Sequence, residues 1–321
     1  MADLPSVSVL LVTKNGERYL AELLQSVRAQ QGDFRLAEII AVDSGSRDRT
    51  LAILESHAVR VLRIPAREFG HGKTRNLAAT QAQGDYLVFL TQDATPAQAD
   101  WLGTLLAPLR ADPAIAGTYS RYAPRPDCHP MEWRRIVEDE LAGRTTSCLN
   151  SSDDPDYANN PAMFYFFSNV SSALRRSVWQ RFPFPEVEFA EDQLWAKEVL
   201  EAGYQTAYCA DSLVYHSHGY SPWPNFRRHF DHAVAVSDLG QAPRLSLRCV
   251  LPFAWGAARR DLSFWRWHTH QGRLRVGLRW GGMALAWQLA ALCGTWLGER
   301  KHVLAPSLIR RISLQESIKR R

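Results

Sequence analysis

Short apolar runs, rich in β-branched residues, recur along the first ninety positions and are separated by polar turns. The runs occupy residues 6–13 (SVSVLLVT), 37–43 (AEIIAVD), 59–65 (VRVLRIP) and 85–90 (DYLVFL). Continuous apolar runs are typical of strands that are buried on both faces. Between the first two runs, apolar residues at positions 19, 20, 23, 24 and 27 have the spacing of an amphipathic helix. This alternation of strands and helices predicts an α/β fold, with βαβ units and a mostly parallel sheet flanked by helices.

The pattern becomes less regular from about residue 119. RYAPRPDCHP and NSSDDPDYANNP predict loops, and the intervening MEWRRIVEDELA predicts a helix. FYFFSNVSSALRRSVW predicts a strand, a turn and the start of a helix, and FAEDQLWAKEVLEAGY predicts a helix that begins with acidic residues. QTAYCADSLVYHSH predicts two short strands, and the chain beyond about residue 241 predicts helices.

Charge is distributed unevenly along the chain. The formal net charge is +5, but residues 241–321 hold 15 Lys and Arg against 3 Asp and Glu, together with 6 of the 11 tryptophans. Tryptophan and basic residues on an apolar background are typical of a surface that binds anionic lipid. Nucleic acid also attracts basic charge, but the many Leu, Ala and Ile residues of this segment favour the membrane. We therefore expect an α/β domain over 1–240, a helical basic membrane-associating region over 241–321, and no nucleic-acid partner.

One segment of the basic region is almost uncharged. Residues 280–298, WGGMALAWQLAALCGTWLG, have the borderline length for crossing a bilayer, and basic residues flank them on both sides. We expect a helix that lies in the membrane plane or is partly inserted, followed by a basic amphipathic helix over residues 302–321. A hairpin of helices packed in a protein core is the alternative.

The cysteines and the start of the chain indicate the compartment. The five cysteines are scattered and form no CxxC pair, which favours reduced thiols over a disulfide framework or a zinc cluster. The first ten residues lack the basic and apolar regions of a signal peptide. We expect a cytoplasmic protein attached peripherally to the cytoplasmic face of the inner membrane.

Polar residues lie at or just past the predicted strand ends. Thr13, Asp43 and Asp93 follow three of the apolar runs, and Lys73 and Arg75 lie in a Gly-containing loop after the third run. In open parallel sheets, ligands bind at the carboxyl ends of the strands. The structural alternatives are a turn cap for Asp43, a strand-end cap for Asp93 and a solvated basic loop for the two cations.

The motifs occur in an order that identifies a family resemblance. The order is TKN (13–15), VDSGSRDRT (42–50), GKTRN (72–76), TQDA (91–94), AEDQLW (190–195) and VYHSH (214–218). It resembles that of family-2 inverting glycosyltransferases, which have the Rossmann-like GT-A fold, and among them the rhamnosyltransferases of bacterial surface polysaccharide assembly. The resemblance covers roughly residues 6–240. The segments FRRHFDHAVAVSDLG and Tyr119–Pro130 strengthen it, and residues 250–321 do not contribute to it.

The resemblance implies a nucleotide-sugar donor bound at the strand ends, either a dTDP-sugar or a UDP-sugar. The matching acid in the family contacts the base or ribose of the donor, and that role falls to Asp43. For Lys73 and Arg75 we expect contact with the donor diphosphate, because glycines and a helix N-terminus favour an anion there. The full set that we assign to donor binding is Thr13, Asn15, Asp43, Ser44, Lys73, Arg75 and Gln92.

The resemblance also implies a divalent metal, Mg²⁺ or Mn²⁺. The usual family motif is Asp-x-Asp, whose last acid holds the metal, but here the stretch is Thr91-Gln92-Asp93 and the first acid is absent. One carboxylate with phosphates and waters can hold such a cation. His216 and His218 are two residues apart in a strand-like segment and therefore share a face. We expect Asp93, His216 and His218 to be the metal ligands.

The catalytic base is expected in the helix that follows the acidic pair. An inverting transfer needs one group to accept the proton of the acceptor hydroxyl. In the family that group is the second acid of the Glu-Asp pair, which is Asp192 here. The alternative is that both acids only stabilise the first turn of a helix through its dipole.

The resemblance therefore implies a metal-dependent glycosyltransferase. The resemblance favours L-rhamnose from dTDP-L-rhamnose as the transferred sugar and a lipid-linked glycan of O-antigen synthesis as the acceptor. The Gln-x-x-Arg-Trp motif of processive synthases is absent from QLWAKEV, which favours a non-processive enzyme. One alternative is a nucleotidyltransferase, although TKNGERY is not the basic Gly-rich loop that such an enzyme would need. The other is a catalytically degenerate membrane-bound scaffold.

Overall fold

The computed structural model describes residues 4–139, 144–187, 189–238, 245–270 and 278–316. The chain forms two compact units. The first comprises residues 1–125 and 140–216, and the second comprises 126–139 and 217–321. This division differs from the boundary expected near residue 240, because the second unit begins earlier and includes a segment from the middle of the chain.

The first unit is built around a mixed β-sheet. Its strands are β1 (Ser6–Thr13), β2 (Arg35–Asp43), β3 (Arg60–Arg63), β4 (Tyr86–Thr91), β5 (Thr95–Pro96), β6 (Ile115–Ala123), β7 (Cys148–Asn150), β8 (Ser171–Arg175) and β9 (Gln205–Tyr215). Among the described residues, their order across the sheet is β3-β2-β1-β4-β8-β6-β9-β5, with β7 paired to β9. The helices of this unit are α1 (Leu20–Arg28), α2 (Thr50–Ser56), α3 (His71–Thr80), α4 (Trp101–Ala111), α6 (Arg176–Arg181) and α7 (Glu191–Glu201).

The first four strands confirm the parallel βαβ arrangement that the apolar runs predict. β1 pairs in parallel with β2 and β4, and β3 pairs in parallel with β2. Most residues of β1 and β4 and the second half of β2 are buried, in agreement with strands covered on both faces, whereas β3, at the edge of the sheet, has no buried residue. The register places Thr13 opposite Asp43 and Val12 opposite Thr91. The polar residues that follow these strands therefore meet at one edge of the sheet.

The later strands differ from the sequence expectation in two places. FYFFSNVSSALRRSVW forms its strand at Ser171–Arg175, several residues later than its first aromatic residues suggest. The segment expected to give two short strands forms one strand, β9. In the pairing of β9 with β6, Ser120 aligns with Cys209 and Arg121 with Leu213. The ladder thus skips residues 210–212, and this bulge accommodates the polar residues that made the run look interrupted.

The second unit is helical in its described part. It contains α5 (Pro130–Arg134), a π-helical turn at Arg135–Asp139, α8 (Pro222–Asp238), α9 (Leu247–His270), α10 (Leu278–Gly298) and α11 (Pro306–Ile312). Met131, Trp265, Ala284 and Trp287 belong to its hydrophobic core. Residues 317–321, the end of the expected amphipathic helix, lie outside the described residues.

Helix α10 packs on α8, as in the helix hairpin that was the alternative for residues 280–298, and a position of α10 in the membrane plane stays a prediction. A Cβ atom added at Gly294 would lie 2.2 Å from the carbonyl oxygen of Phe226, and one at Gly298 would lie 2.4 Å from that of Phe230. The small residues thus allow α10 and α8 to approach at backbone contact. In the described part of the chain, no helix is long and apolar enough to cross a bilayer.

Candidate active site

The carboxylate of Asp43 holds the turn that follows β2. It accepts hydrogen bonds from the Thr13 hydroxyl at 3.1 Å and from the backbone N–H groups of Gly45 and Ser46 at 3.0 and 2.9 Å. Asp43 and Thr13 are both buried. The turn cap, which was the structural alternative for Asp43, is therefore present. Contact with a nucleotide base or ribose stays a prediction.

The loops that follow β1 and β2 are joined by hydrogen bonds. The Ser44 N–H donates to the Thr13 carbonyl at 3.0 Å. Asn15 has a left-handed backbone (φ 49°), its N–H donates to the Ser46 hydroxyl, and its side-chain oxygen accepts the N–H of Arg47 at 2.9 Å. Four of the residues assigned to donor binding, Thr13, Asn15, Asp43 and Ser44, thus belong to one preformed pair of loops.

Gln92 connects this pair of loops to the end of β4. Its side-chain oxygen accepts the N–H of Lys14 at 2.8 Å, and its side-chain N–H donates to the Lys14 carbonyl at 3.0 Å. The side chain passes so close to Gly16 that a Cβ there would lie 2.4 Å from the Gln92 oxygen. At the position where the family motif has its first acid, the Thr91 hydroxyl is buried and has no hydrogen-bond partner among the described residues.

Asp93 and His216 face each other, as the sequence predicts. Their Oδ1 and Nδ1 atoms are 3.3 Å apart, with His216 buried and Asp93 partly exposed. The short strand β5 brings them together, because Thr95 and Pro96 pair with Tyr215 and Val214 of β9. The backbone N–H of His216 donates to the Ala123 carbonyl at 2.9 Å.

Arg125 supports the loop that carries Asp93, a role that its sequence context does not indicate. This buried guanidinium donates to the Asp93 carbonyl at 3.0 Å and lies 3.7 Å from the centre of the Tyr19 ring. It also pairs with Glu22 at 3.4 Å. A single arginine in a Pro-rich stretch has no periodicity to mark it, so no sequence signal indicated this role.

His218, the third expected metal ligand, belongs to the second unit. There its ring stacks on Tyr220 with 4.8 Å between the ring centres, and its backbone N–H donates to the Glu132 carboxylate at 3.4 Å. Its role as a metal ligand stays a prediction.

Glu191 is fixed in a buried ion pair at the start of α7. Arg75 donates to its Oε1 atom at 2.8 Å, and the Asn169 side chain donates to the same atom at 3.2 Å. The side chains of Arg75 and Glu191 are buried, with exposed fractions of 7% and 5% respectively. Ala190 precedes the pair with a left-handed backbone (φ 60°), an unusual conformation for a residue with a Cβ. After this turn Glu191 is buried, whereas Asp192 is partly exposed.

Asp192 has a different environment from its neighbour. Within the part of the chain that the structure describes, its two carboxylate oxygens accept only backbone N–H groups, from Asn169 at 3.1 Å and from Gln193 at 2.9 Å. Burial, reinforced by the adjacent charge of Glu191, raises the pKa of Asp192 to about 7. A carboxyl with this pKa can exchange a proton with a ligand near neutral pH.

The loop of Lys73 and Arg75 has a structural role that the sequence did not indicate. A Cβ at Gly72 would lie 2.1 Å from the Pro185 carbonyl oxygen, so this glycine permits close packing of the chain on itself. Arg75 is engaged with Glu191. Lys73 is exposed and, within the described ranges, makes no hydrogen bond or ion pair. Contact of either residue with a donor diphosphate stays a prediction.

The Asp93–His216 pair fits a divalent cation by its chemistry. A carboxylate oxygen and an imidazole nitrogen lie close enough to share one ion. Hard cations such as Mg²⁺ and Mn²⁺ prefer oxygen ligands, and Mn²⁺ also accepts imidazole. Two protein ligands leave the remaining coordination positions to phosphate oxygens and water. These two residues therefore form a candidate metal site, without specifying the ion.

Comparison with known proteins places the chain among glycosyltransferases. It matches the model of Glycosyl transferase family 2 over residues 8–174. It is 32% identical over 232 residues to the O-antigen chain rhamnosyltransferase RfbN of Salmonella typhimurium, covering 71% of both chains. It is 34% identical over 235 residues to the O-antigen chain rhamnosyltransferase WbaN of Salmonella anatum, covering 72% of both.

Solved structures with a similar fold include two glycosyltransferases. The mannosyltransferase PcManGT of Pyrobaculum calidifontis, determined with GDP-Man and Mn²⁺, has a TM-score of 0.56 at 19% identity and covers 91% of this chain and 87% of its own. Residues 1–349 of TarS from Staphylococcus aureus give a TM-score of 0.51 at 17% identity, covering 92% of this chain and 91% of that one. The predicted GT-A fold class is confirmed.

Proposed function

The chain belongs to Glycosyl transferase family 2 and is a glycosyltransferase, and on this premise we propose its reaction. It transfers L-rhamnose from dTDP-L-rhamnose, with inversion, to a hydroxyl group of a lipid-linked glycan in O-antigen synthesis. The choice of sugar and pathway is supported by RfbN and WbaN, which are both named O-antigen chain rhamnosyltransferases. The observation that carries the proposed mechanism is the environment of Asp192.

Asp192 acts as the general base. The oxygen of the acceptor hydroxyl attacks the anomeric carbon of the donor sugar while the bond from that carbon to the diphosphate oxygen breaks on the opposite face. The carboxylate of Asp192 takes the hydroxyl proton, and the nucleoside diphosphate leaves with the bonding electron pair. The backbone N–H groups of Asn169 and Gln193 hold the carboxylate in place, and a pKa of about 7 suits proton transfer at neutral pH.

Asp93 and His216 would hold the divalent metal, with His218 as a proposed third ligand. The metal supplies positive charge that stabilises the departing diphosphate. Support comes from the 3.3 Å approach of the two side chains and from PcManGT, whose structure contains Mn²⁺ beside GDP-Man. Arg125 holds the backbone of Asp93 and so fixes the position of its carboxylate.

The donor nucleotide would occupy the preformed loops after β1 and β2. These loops contribute Thr13, Asn15, Asp43 and Ser44, and Gln92 ties them to the metal-binding loop through Lys14. Lys73 is exposed and available to a diphosphate. Arg75 would position Glu191. For direct contact with the donor, the guanidinium of Arg75 would have to bind Glu191 and the donor at the same time.

The membrane surface would be bound by the exposed face of α9. Leu251, Phe253, Trp255 and Trp267 on this helix are between 54% and 61% exposed. Arg248, Arg259 and Arg266 are also exposed and share one stripe of the helix, because separations of 11 and 18 residues correspond to about three and five turns. The only acid of α9, Asp261, is buried and paired with Arg134. Exposed Trp and Arg without acids favour an anionic lipid surface.

The proposal is tested by donor choice. Purified protein is mixed with Mn²⁺ and, in separate samples, dTDP-L-rhamnose, UDP-N-acetylglucosamine or GDP-mannose, and its thermal unfolding is followed. A donor that binds the native state raises the unfolding temperature by mass action, so we expect the largest shift with dTDP-L-rhamnose. Nucleotide release upon addition of lipid-linked acceptor then measures transfer. Stabilisation by another donor and none by dTDP-L-rhamnose would exclude rhamnose as the substrate.

A further inference from the structure

Tyr122 is a buried side chain of the first unit that has no part in the reaction described so far. It lies near the end of β6, where the parallel pairing with β9 places Ala123 opposite Tyr215. His216 follows Tyr215 directly, and its backbone N–H donates to the Ala123 carbonyl at 2.9 Å. The register of the sheet therefore brings Tyr122 beside the candidate metal site.

The ring of Tyr122 contacts the imidazole of His216. The two ring centres are 5.7 Å apart and the ring planes meet at 67°, which is an edge-to-face arrangement. Aromatic pairs favour this geometry because the positive edge of one ring faces the negative face of the other. Since Tyr122 is itself held in the sheet, its ring limits the orientations that are open to the imidazole.

The hydroxyl of Tyr122 holds a short segment of chain, residues 168–170, that precedes β8. It donates a hydrogen bond to the side-chain oxygen of Ser168, which is buried. The same oxygen accepts the backbone N–H of Val170 at 3.4 Å. The Val170 carbonyl in turn accepts the N–H of Thr91, the last residue of β4, at 3.1 Å. Segment 168–170 is thus fixed between the Tyr122 hydroxyl and the end of β4.

Segment 168–170 also carries a donor that orients Asp192. The backbone N–H of Asn169 donates to Oδ2 of Asp192 at 3.1 Å. The buried side chain of Asn169 donates to Glu191 at 3.2 Å and accepts the Ser172 hydroxyl at 2.8 Å. Burial and the charge of Glu191 raise the pKa of Asp192, and the Asn169 N–H opposes them because it favours the ionised carboxylate. The position of this segment therefore affects both the orientation of the Asp192 carboxylate and its pKa.

We infer that Tyr122 is a positioning residue of the transfer reaction, which fixes Asp192 through Ser168 and Asn169. The inference rests on the proposed function, in which Asp192 is the base and His216 a metal ligand. Among the described residues, no hydrogen bond joins Tyr122 to Asp192 directly, so its effect passes through segment 168–170. One side chain thus joins the metal side of the site to the base side. An inverting transfer requires a fixed separation of the two, because the diphosphate leaves and the hydroxyl attacks on opposite faces of the sugar.

The inference is tested with Tyr122→Phe, which removes the hydroxyl and keeps the ring. Without the bond to Ser168 the segment relaxes, the Asn169 N–H moves away from Asp192, and the pKa of Asp192 rises. We expect kcat at pH 6 to fall roughly threefold or more relative to kcat at pH 8, with the donor KM unchanged. Ser168→Ala should produce the same shift. The double variant should shift no further than either single variant, because both substitutions remove one shared bond.

Tyr119→Phe is the matched control. Tyr119 is also buried on β6, and its hydroxyl is hydrogen-bonded to the side chain of Asn150. This variant should lose stability without a change in the pH profile. The linkage between Mn²⁺ and dTDP binding should be unchanged in Tyr122→Phe, because the ring beside His216 is retained. An unchanged pH profile in folded Tyr122→Phe, or an equal shift in Tyr119→Phe, would overturn the inference.

A stability measurement separates this inference from the proposed function. Asp192→Asn should raise the unfolding temperature at pH 8 more in the Tyr122→Phe background than in wild type, because an ionised carboxylate with a higher pKa costs more stability. Glu191 and Arg75, the charged groups that act on Asp192, are retained in both backgrounds.

This difference does not require Asp192 to be the base. If Asp192→Asn keeps its transfer activity while the difference is present, the reaction assignment fails and the positioning of Asp192 by Tyr122 stands. If the difference is absent although Asp192→Asn is inactive, the positioning role alone fails. Ser168→Ala replaces Tyr122→Phe in both measurements if the latter does not fold.

Discussion

Glu191 and Asp192 are adjacent in the chain but are held by different kinds of partner. Glu191 accepts a hydrogen bond from the guanidinium of Arg75 at 2.8 Å, whereas Asp192, among the described residues, accepts only from backbone N–H groups. The pKa of Glu191 is lowered, with Arg75 overcoming the effect of burial, and the pKa of Asp192 is raised to about 7. Two neighbouring carboxyl groups with pKa values driven apart can divide the roles of fixed charge and proton acceptor.

Replacement of Asp192 by Asn should remove transfer and preserve donor binding. The amide has nearly the same shape but cannot accept the hydroxyl proton, and loss of a general base lowers kcat by about two to four orders of magnitude. Transfer is measured as acceptor-dependent dTDP release, and donor binding as thermal stabilisation. Asp211→Asn makes the same chemical change at an exposed position of β9 and should be fully active. Near-normal turnover in Asp192→Asn would reject its role as the base.

The rate of transfer should depend on pH through Asp192. The base must be ionised, so below pH of about 7 the rate should fall roughly tenfold for each pH unit, and above it the rate should level off. The profile is measured with saturating donor and acceptor over pH 5 to 9. A rate that is level from pH 5 to 7 would contradict ionisation of Asp192 in this range.

Asp192 should also reduce stability at neutral pH. Its pKa is raised from 3.8 on folding, so the native state binds the proton more tightly than the unfolded chain, and stability falls as pH rises from about 4 through 7. Asp192→Asn removes this effect. The variant should unfold at a higher temperature than wild type at pH 8, and the difference should shrink at pH 4. Equal unfolding temperatures for both proteins at both pH values would show that burial of Asp192 has no energetic consequence.

Glu191→Gln should move the pH profile of transfer to lower pH. Removal of the negative charge beside Asp192 eliminates one cause of its raised pKa. The substitution also leaves Arg75 buried without a charged partner, and breaking a buried ion pair destabilises a protein by about 3–5 kcal/mol. Urea unfolding measures the second effect. An unshifted pH profile in a folded Glu191→Gln protein would show that the charge of Glu191 does not act on Asp192.

Metal binding should be linked to nucleotide binding through Asp93 and His216. Two protein ligands hold Mn²⁺ weakly, and phosphate oxygens complete the site, so affinity should increase strongly when dTDP is present. Calorimetric titration of Mn²⁺ with and without dTDP measures this linkage. Asp93→Ala should abolish it and His216→Ala should weaken it, whereas Asp211→Ala should leave it intact. If metal and nucleotide binding were still linked in Asp93→Ala, Asp93 would not be a metal ligand and would only cap the end of a strand.

Vesicle binding should depend on the exposed face of α9. Trp255→Gln combined with Trp267→Gln removes two exposed indoles, and sedimentation with phosphatidylglycerol vesicles should fall severalfold at low salt. Binding of wild type should itself weaken as salt is added, because lipid charge is screened. Trp223→Gln, a 55% exposed position of α8, serves as the control. Equal binding by the α9 double variant and the control would place the lipid contact elsewhere.

The sequence predicted the first four strands and was ambiguous where a pattern had two physical explanations. Continuous apolar runs indicated β1, β2 and β4, because strands covered on both faces need them. A uniformly apolar helix, by contrast, suits a bilayer and a protein core equally. Nothing in the local sequence of α10 shows that Gly294 and Gly298 lie against the backbone of α8.

The sequence predicted one part of the candidate site, the approach of Asp93 and His216, but not the contacts that support it. Strand order and motif resemblance brought Asp93 and His216 to one edge of the sheet, and the structure places them 3.3 Å apart. The ion pair of Arg75 with Glu191 and the support from Arg125 were not predictable. Each depends on a contact between residues far apart in the chain, which neither spacing nor periodicity records.

The fit between Gly16 and Gln92 has a consequence for how the sequence can evolve. A Cβ at position 16 would lie 2.4 Å from the oxygen of a side chain whose amide bridges the Lys14 backbone. Any larger residue at position 16 requires a shorter one at position 92, and the shorter residue gives up the bridge. Homologous sequences should therefore show the two positions changing together, and lineages that have lost the glycine should have replaced the link between the β1 and β4 loops with another.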